Sequence, residues 1–202
     1  MQSLIISEKE ITHKLAQTSE DPNEFSYPSE LLTDRPRAAA VLIPFLIRDS
    51  SWHILYTRRT DSLPEHSGQV AFPGGRADPG DISPESTALR EAFEEIALRP
   101  EDVKILGTLN ALPTVTNYYV TPVVAKIPWP YTFKLAREEV SKVFTIPLEW
   151  LVNLDNYEIR SREVPNFFTP VRVIYFSPFE GEILWGVSAQ ITLNLLKVLD
   201  LI

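Results

Sequence analysis

The stretch Phe72-Pro73-Gly74-Gly75-Arg76-Ala77-Asp78-Pro79-Gly80-Asp81-Ile82-Ser83 runs directly into Pro84-Glu85-Ser86-Thr87-Ala88-Leu89-Arg90-Glu91-Ala92-Phe93-Glu94-Glu95-Ile96. Its second half reads as a helix. Ser83 is a good N-cap, Pro84 suits the first helical position, and Pro100 stops continuation beyond about Leu98. At about 100° per residue, Glu91, Glu94 and Glu95 fall within one arc of roughly 100°. Leu89, Ala92, Phe93 and Ile96 gather on the other side, which is expected to face a core. Three carboxylates on one flank repel each other and destabilise a helix by a few tenths of a kcal/mol per pair. Taken alone they fit either a solvated acidic face, with Arg90 and Arg99 as counter-ions, or a site for a hard divalent cation.

The glycines upstream bear on that choice. Gly74-Gly75 permits close backbone approach to a ligand or metal, 15 residues before Arg90, and the intervening loop carries Asp78 and Asp81. The order Gly75…Arg90-Glu91-Ala92-Phe93-Glu94-Glu95-Ile96 resembles the Nudix box, Gly-x5-Glu-x7-Arg-Glu-U-x-Glu-Glu-x-Gly-U, with U a bulky aliphatic residue. The RExxEE core is intact. Asp78 or Asp81 stands near the place of the first Glu, Ala92 is smaller than the usual aliphatic, and Ala97 replaces the final Gly.

The segment before the box narrows the likeness. Leu55-Tyr56-Thr57-Arg58-Arg59, then Leu63-x-x-His66-Ser67-Gly68-Gln69-Val70-Ala71-Phe72-Pro73-Gly74-Gly75, is similar to the signature of the coenzyme A pyrophosphatase branch. So are Thr87-Ala88-Leu89-Arg90-Glu91 and Trp185-Gly186-Val187-Ser188-Ala189. Pro64 stands where that signature usually has an Arg. The resemblance spans roughly residues 37–200. It implies a Nudix fold: a mixed β-sheet sandwiched between α-helices (α/β/α, α+β), with residues 37–202 as the hydrolase domain and 1–36 as an N-terminal helix and connecting segment.

The same resemblance implies the chemistry. Glu91, Glu94 and Glu95, with the carbonyl of Gly74 or Gly75, would hold Mg²⁺ or Mn²⁺. Arg90 would hold the carboxylates in place. A helix glutamate, or Glu139 or Glu138, would take the proton from the attacking water. Glu138 and Glu139 otherwise read as an exposed helix start. Arg58, Arg59, His66, Gln69 and Arg76 are the candidates for substrate contact, because Arg suits bidentate phosphate binding. Trp129, Tyr131, Phe167 and Phe168 either stack on a base or pack in the core and loops. The expected reaction is metal-dependent cleavage of coenzyme A or acyl-CoA to 3′,5′-ADP and (acyl-)phosphopantetheine. The rivals are another nucleoside-diphosphate derivative, such as ADP-ribose, a dinucleotide or a dNTP, and a non-catalytic nucleotide-binding module on the same scaffold. A homodimer is the expected assembly.

Composition agrees. With 202 residues, 44% hydrophobic and 23% charged, the chain fits one domain of ordinary size. A net charge of -8 argues against a dedicated nucleic-acid binder. There are no cysteines, which excludes disulfides, zinc-thiolate sites and thiol nucleophiles. The longest apolar run, Ala38–Ile47, is far short of the roughly 20 residues that span a bilayer. The N-terminus lacks the order of a signal peptide. A soluble, cytoplasmic protein with a small nucleotide as partner, no nucleic acid and no membrane, is expected.

The remaining elements are read from pattern. Residues 3–17 form a short amphipathic helix, and 18–36 a loop. Ala38–Arg48 and Trp52–Arg58 are strands joined at Asp49-Ser50-Ser51. Val70–Phe72 is a short extended piece. Val103–Leu112 and Tyr119–Ile127 are strands, and Glu138–Leu151 is a mixed segment with helical pieces. Tyr157–Arg162, Val171–Phe176 and Glu182–Trp185 are strands, and Ser188–Leu199 is a closing helix.

Overall fold

The computed structural model describes residues 6–17, 35–62, 66–163 and 170–202. Pro64, Phe167, Phe168 and most of the 18–36 segment lie outside them. The elements are α1 (Glu8–Ala16), β1 (Arg37–Arg48), β2 (Ser51–Arg59), β3 (Val70–Ala71), β4 (Gly74–Arg76), α2 (Pro84–Ile96), β5 (Lys104–Thr108), β6 (Leu112–Pro113), β7 (Tyr118–Lys126), β8 (Val140–Pro147), α3 (Leu148–Leu151), β9 (Tyr157–Arg162), β10 (Val171–Phe176) and α4 (Gly186–Val198).

β1 is the spine of the main sheet. It pairs in parallel with β7, antiparallel with β2, and antiparallel with β4, so one strand carries both orientations and the sheet is mixed. β8 and β3 extend the sheet from β2, while β5 and β6 pair with β7. The β1–β2 connection is as tight as the sequence suggested. Asp49 and Ser50 both have positive φ, 50° and 65°, and Arg48 pairs directly with Ser51. Two consecutive left-handed residues match the twist of the flanking strands.

The alternation of β1 explains why its apolar run is continuous. Leu42 and Leu46 point to one layer, with Ala88, Ala92 and Ile96 of α2. Ile43 and Phe45 point to the other, with Ile191, Leu195 and Leu196 of α4. A strand covered on both faces has no polar side to show. The expected sandwich of helices around a mixed sheet is what the chain forms. α1 also belongs to it. Ile11 and Leu15 are buried in the α4-side core, and Glu8 forms salt bridges with Lys104 and Lys126. Leu15 lies so close to Gly107 that a Cβ built there would stand 2.9 Å from the Leu15 Cβ.

Some expectations need correction. Val140–Pro147 is a strand, with helix only at Leu148–Leu151, because its buried residues Val140, Phe144 and Ile146 complete the sheet beside β2. Glu138 and Glu139 are therefore not a helix start; they lie in the turn that enters β8. Glu182–Trp185 makes only the isolated bridges Phe179–Glu182 and Tyr175–Trp185. Phe93, expected on the core side, is 50% exposed, because the buried arc of α2 is centred on Ala88, Ala92, Glu95 and Ile96. No helix among the described residues is long and apolar enough to cross a membrane.

Candidate functional site

The site grows from the N-terminus of α2. Ser83 caps the helix through a reciprocal bond with Ser86, and Pro84 occupies the first turn. At the other end Ala97 adopts the left-handed conformation, φ 54°, that a glycine would take more easily. The exit therefore keeps its geometry despite the missing Gly. The last carbonyls are satisfied from a distant loop: the Lys134 and Ala136 N–H groups donate to the carbonyls of Ile96 and Glu95. That docking draws the loop and Glu139 towards the acidic flank. Tyr131 supports it too, donating to Asp102 at 2.9 Å and packing on Phe133. Tyr131 and Trp129 both pack against the core beneath α2.

Arg90 organises the loop. Its Nη2 donates to Asp81 Oδ2 and to the Arg76 carbonyl, both at 2.9 Å, and its Nε reaches Asp81 Oδ1 at 3.2 Å. Its Nη1 donates to Glu91 Oε1 at 2.9 Å and Glu94 Oε2 at 3.1 Å. Of the two loop aspartates, Asp81 is thus the one tied to the helix, and Asp78 donates its N–H to the Asp81 carboxylate. The Arg90 fork holds the Asp81 carboxyl well below the usual carboxylate range, with help from the Asp78 N–H and the Thr87 hydroxyl. A planar fork in contact with two chain segments holds their relative position in a way lysine cannot.

Glu91 and Glu95 sit behind this clamp. Glu95 is 5% exposed, and burial pushes its carboxyl up to about 8. The negative charges of Glu91 and Glu139 add to that, while Arg59 and the Gly74 N–H oppose it. Its Oε2 is buried with no hydrogen-bond partner, as is Arg59 Nε. Glu91 is also raised, first by burial and then by Glu94 and Glu139, against the stabilising Arg90 bond. Gly75 explains how so much charge fits: a Cβ there would stand 2.6 Å from both Glu91 oxygens. Gly74 is equally constrained, since a Cβ would meet the Ala40 carbonyl oxygen at 2.4 Å on β1.

The three helix acids are not equivalent. Glu91 and Glu95 face inward, whereas the Glu94 side chain is 56% exposed. Glu139, some 44 positions downstream of Glu95, acts electrostatically on both inward acids. Among the described residues no three acidic or histidine side chains are already drawn together as a cation cage, and Arg90 occupies one oxygen each of Glu91 and Glu94. The donor set nevertheless fits a hard divalent cation: all-oxygen, mutually repelling, and with one buried carboxylate oxygen unsatisfied.

The expected substrate contacts divide. Arg59 belongs to the acid cluster. Arg58 does not: strand alternation sends it to the opposite sheet face, where it binds Asp61 at 2.7 Å, Ser141 at 3.2 Å and Glu182 at 3.5 Å. Its guanidinium holds the end of β2, away from the acid cluster. His66 and Gln69 bond each other at 2.9 Å, and the Gln69 carbonyl accepts from the Arg59 N–H. Arg76 is exposed at the loop rim. Sequence reasoning missed Glu182, which also binds Lys142 at 3.0 Å, and Ser141, whose hydroxyl donates to the Arg58 and Arg59 carbonyls. No local pattern marks either one, because their partners are far along the chain.

Known proteins resemble this chain in sequence and fold. The NUDIX domain model matches residues 36–167. The chain is 44% identical over 159 residues to the Nudix hydrolases NudL of Yersinia pestis (strain Pestoides F) and Yersinia pseudotuberculosis serotype O:1b (strain IP 31758). Those matches cover 79% of this chain and 78% of each relative. The fold is similar to that of a MutT/nudix family protein from Enterococcus faecalis, with a TM-score of 0.54 at 16% identity, across 97% of this chain and 76% of that one. Sequence match, fold and the clamped glutamate helix agree: the chain belongs to the Nudix hydrolase family.

Proposed function

We propose that this chain hydrolyses the diphosphate bond of a nucleoside-diphosphate derivative, with coenzyme A or acyl-CoA as substrate and Mg²⁺ or Mn²⁺ as cofactor. The observation that carries the hydrolytic reading is the buried, unsatisfied Glu95 carboxylate oxygen beside Glu91 and Glu139. Leaving a buried carboxylate oxygen unpartnered among like charges is costly, and a cation bound there would offset that cost. Glu91, Glu94 and Glu95 would hold the ion, with Glu94 at the solvent side and the Gly74 or Gly75 carbonyl as a neutral oxygen ligand. When bound, a divalent cation neutralises phosphate oxygens and lowers the pKa of water.

The chain's own residues do the rest. Arg90 fixes the loop against α2 through Asp81 and the Arg76 carbonyl. Arg59 and Arg76 present guanidinium groups to the phosphates, and His66 with Gln69 orders the loop that supports Arg59. The Glu139 carboxylate, exposed on the docked loop, accepts the proton of the attacking water. Water adds across the P–O–P bridge and leaves two phosphate monoesters, 3′,5′-ADP and (acyl-)phosphopantetheine. The choice of coenzyme A rests on the likeness of residues 55–75 and 185–189 to that branch. Glutamates retained at all three box positions favour catalysis over mere nucleotide binding.

Product masses after incubation with coenzyme A and Mg²⁺ or Mn²⁺ test the reading, with ADP-ribose as competitor. The expected products are 3′,5′-ADP and phosphopantetheine, lost in Glu94→Gln and Glu95→Gln. Faster cleavage of ADP-ribose removes coenzyme A as the substrate. Full activity in both variants removes the acid assignment.

A further inference from the structure

Arg59 ends β2 with its backbone fixed and its side chain unspent. Its N–H donates to the Gln69 carbonyl at 2.9 Å, and its carbonyl accepts from the Ser141 hydroxyl at 3.2 Å. The register shifts between Arg58 and Arg59, so that Arg59 pairs with Val140. Val140 belongs to the core beneath α2, with Ala92 and Ile96, and paired residues share a face of the sheet. Arg59 therefore points to the α2 side, where the acids are. The next residue, Thr60, donates its N–H to the Glu139 carbonyl at 2.9 Å, which fixes Glu139 beside it.

The two arginines of the site are used differently. Arg90 spends its donors on Asp81, Glu91, Glu94 and the Arg76 carbonyl. The Arg59 side chain enters no hydrogen bond or ion pair among the described residues, and its Nε is buried without a partner. Glu95 mirrors it. The Gly74 N–H donates to the Glu95 carboxylate, yet the buried Oε2 has no partner. Arg59 acts on that carboxylate through space and not through a bond. Buried polar atoms are otherwise satisfied in folded chains, so a guanidinium and a carboxylate that face each other unbonded both lack a partner.

No single ion suits both groups. A bare cation that completes Glu95 is repelled by Arg59, whose charge is permanent. A bare phosphate that completes Arg59 is repelled by Glu91, Glu95 and Glu139. A hard cation carrying a phosphate oxygen satisfies both, with the carboxylate on the metal and the guanidinium on the phosphate.

We propose that Arg59 couples the loading of the divalent cation to that of the diphosphate: it opposes the cation alone and binds the diphosphate that arrives with it. The proposal rests on the diphosphatase reading and adds regulation of that same site. Each partner tightens the binding of the other by the same factor, as linkage requires. The chain without substrate therefore holds its cation loosely, and the working set of charges is assembled only around a diphosphate.

Two binding measurements on the intact chain test this without turnover. Mn²⁺ alone is followed through the electron paramagnetic resonance of the free ion. Adenosine 5′-(α,β-methylene)diphosphate, whose bridging carbon resists hydrolysis, is titrated calorimetrically with Mn²⁺ saturating. Arg59→Gln should bind Mn²⁺ about tenfold or more tighter than the unmodified chain, and the methylene analogue about tenfold or more weaker. Arg59→Lys keeps the charge and loses the fork, so it should leave Mn²⁺ affinity unchanged and weaken the analogue. Shifts of opposite sign from one substitution exclude a damaged fold, which would weaken both. Mn²⁺ affinity unchanged or reduced in folded Arg59→Gln overturns the proposal, and so does analogue affinity that is equal or higher. The unmodified chain gives a test that needs no variant: without metal the analogue should bind at least about tenfold more weakly, and equal affinity overturns the coupling. Opposite shifts in a chain that leaves coenzyme A uncut uphold the role of Arg59 and defeat only the activity reading.

Discussion

Gly75→Ala tests the site at its tightest point. The backbone at Gly75 is not in the left-handed region, so alanine is conformationally allowed and the effect is steric. The added Cβ would stand 2.5 Å from the Glu91 carboxyl carbon and 2.6 Å from each oxygen, where ordinary contact begins near 3.4 Å. The carboxylate must therefore retreat by about 0.8 Å to restore normal packing. It cannot do so freely, because Arg90 holds one oxygen at 2.9 Å and the side chain is only 16% exposed. A misplacement near 1 Å in a reacting constellation costs about 10²-fold in rate, and that is the expected fall in kcat with Mn²⁺ saturating. Initial rates on coenzyme A measure it, with a thermal melt as the folding control. Gly80→Ala is the companion variant: a Cβ there meets nothing within 4 Å, so activity should stay at the unmodified level. A Gly75→Ala enzyme with near-normal kcat and an unchanged melt would refute the placement of Glu91 as a working ligand.

Three further outcomes follow from the same geometry. Arg90→Lys keeps a positive charge but loses the fork to Asp81 and the bond to the Arg76 carbonyl; kcat should fall roughly tenfold or more, and an unchanged rate would mean the clamp is irrelevant to catalysis. Glu95 has an ordinary value of 4.5 and is raised to about 8, so the metal-free folded state holds a proton that the unfolded chain has released. Its contribution to stability is therefore fully present below about pH 4.5 and lost as pH rises to about 8; melts across that window should show the decline, and Glu95→Gln should flatten it. A pH slope identical in the two proteins would place the titration elsewhere. Leu15→Ala should cost about 2–4 kcal/mol in urea unfolding with kcat retained, because Leu15 is buried against Gly107 on the far side of the sheet from α2. A negligible change would show that α1 is not part of the cooperative fold.

What could be read along the chain was what neighbours within one turn or one strand decide. The Ser83 cap, Pro84, the core placement of Ala92 and Ile96, and the buried apolar run of β1 depend on local chemistry and formed as expected, whereas Phe93, expected beside them, is exposed and Ala88 takes the core place. The acids came with their helix for the same reason. Their inequality did not. Glu94 and Glu95 are adjacent in sequence, yet one is exposed and the other is 5% exposed, because the edge of the buried arc is set by how α2 sits on β1 and β7. Glu139 could be named but not located, since it reaches the cluster only through a loop that satisfies the carbonyls ending α2. Arg58 and Arg59 look interchangeable in sequence, and the pleat of β2 alone sends one to Glu182 and the other to Glu95. Spacing fixes direction along an element. Burial, and with it the electrostatics of a carboxylate, is a property of everything packed around it, and that is decided only when distant segments meet.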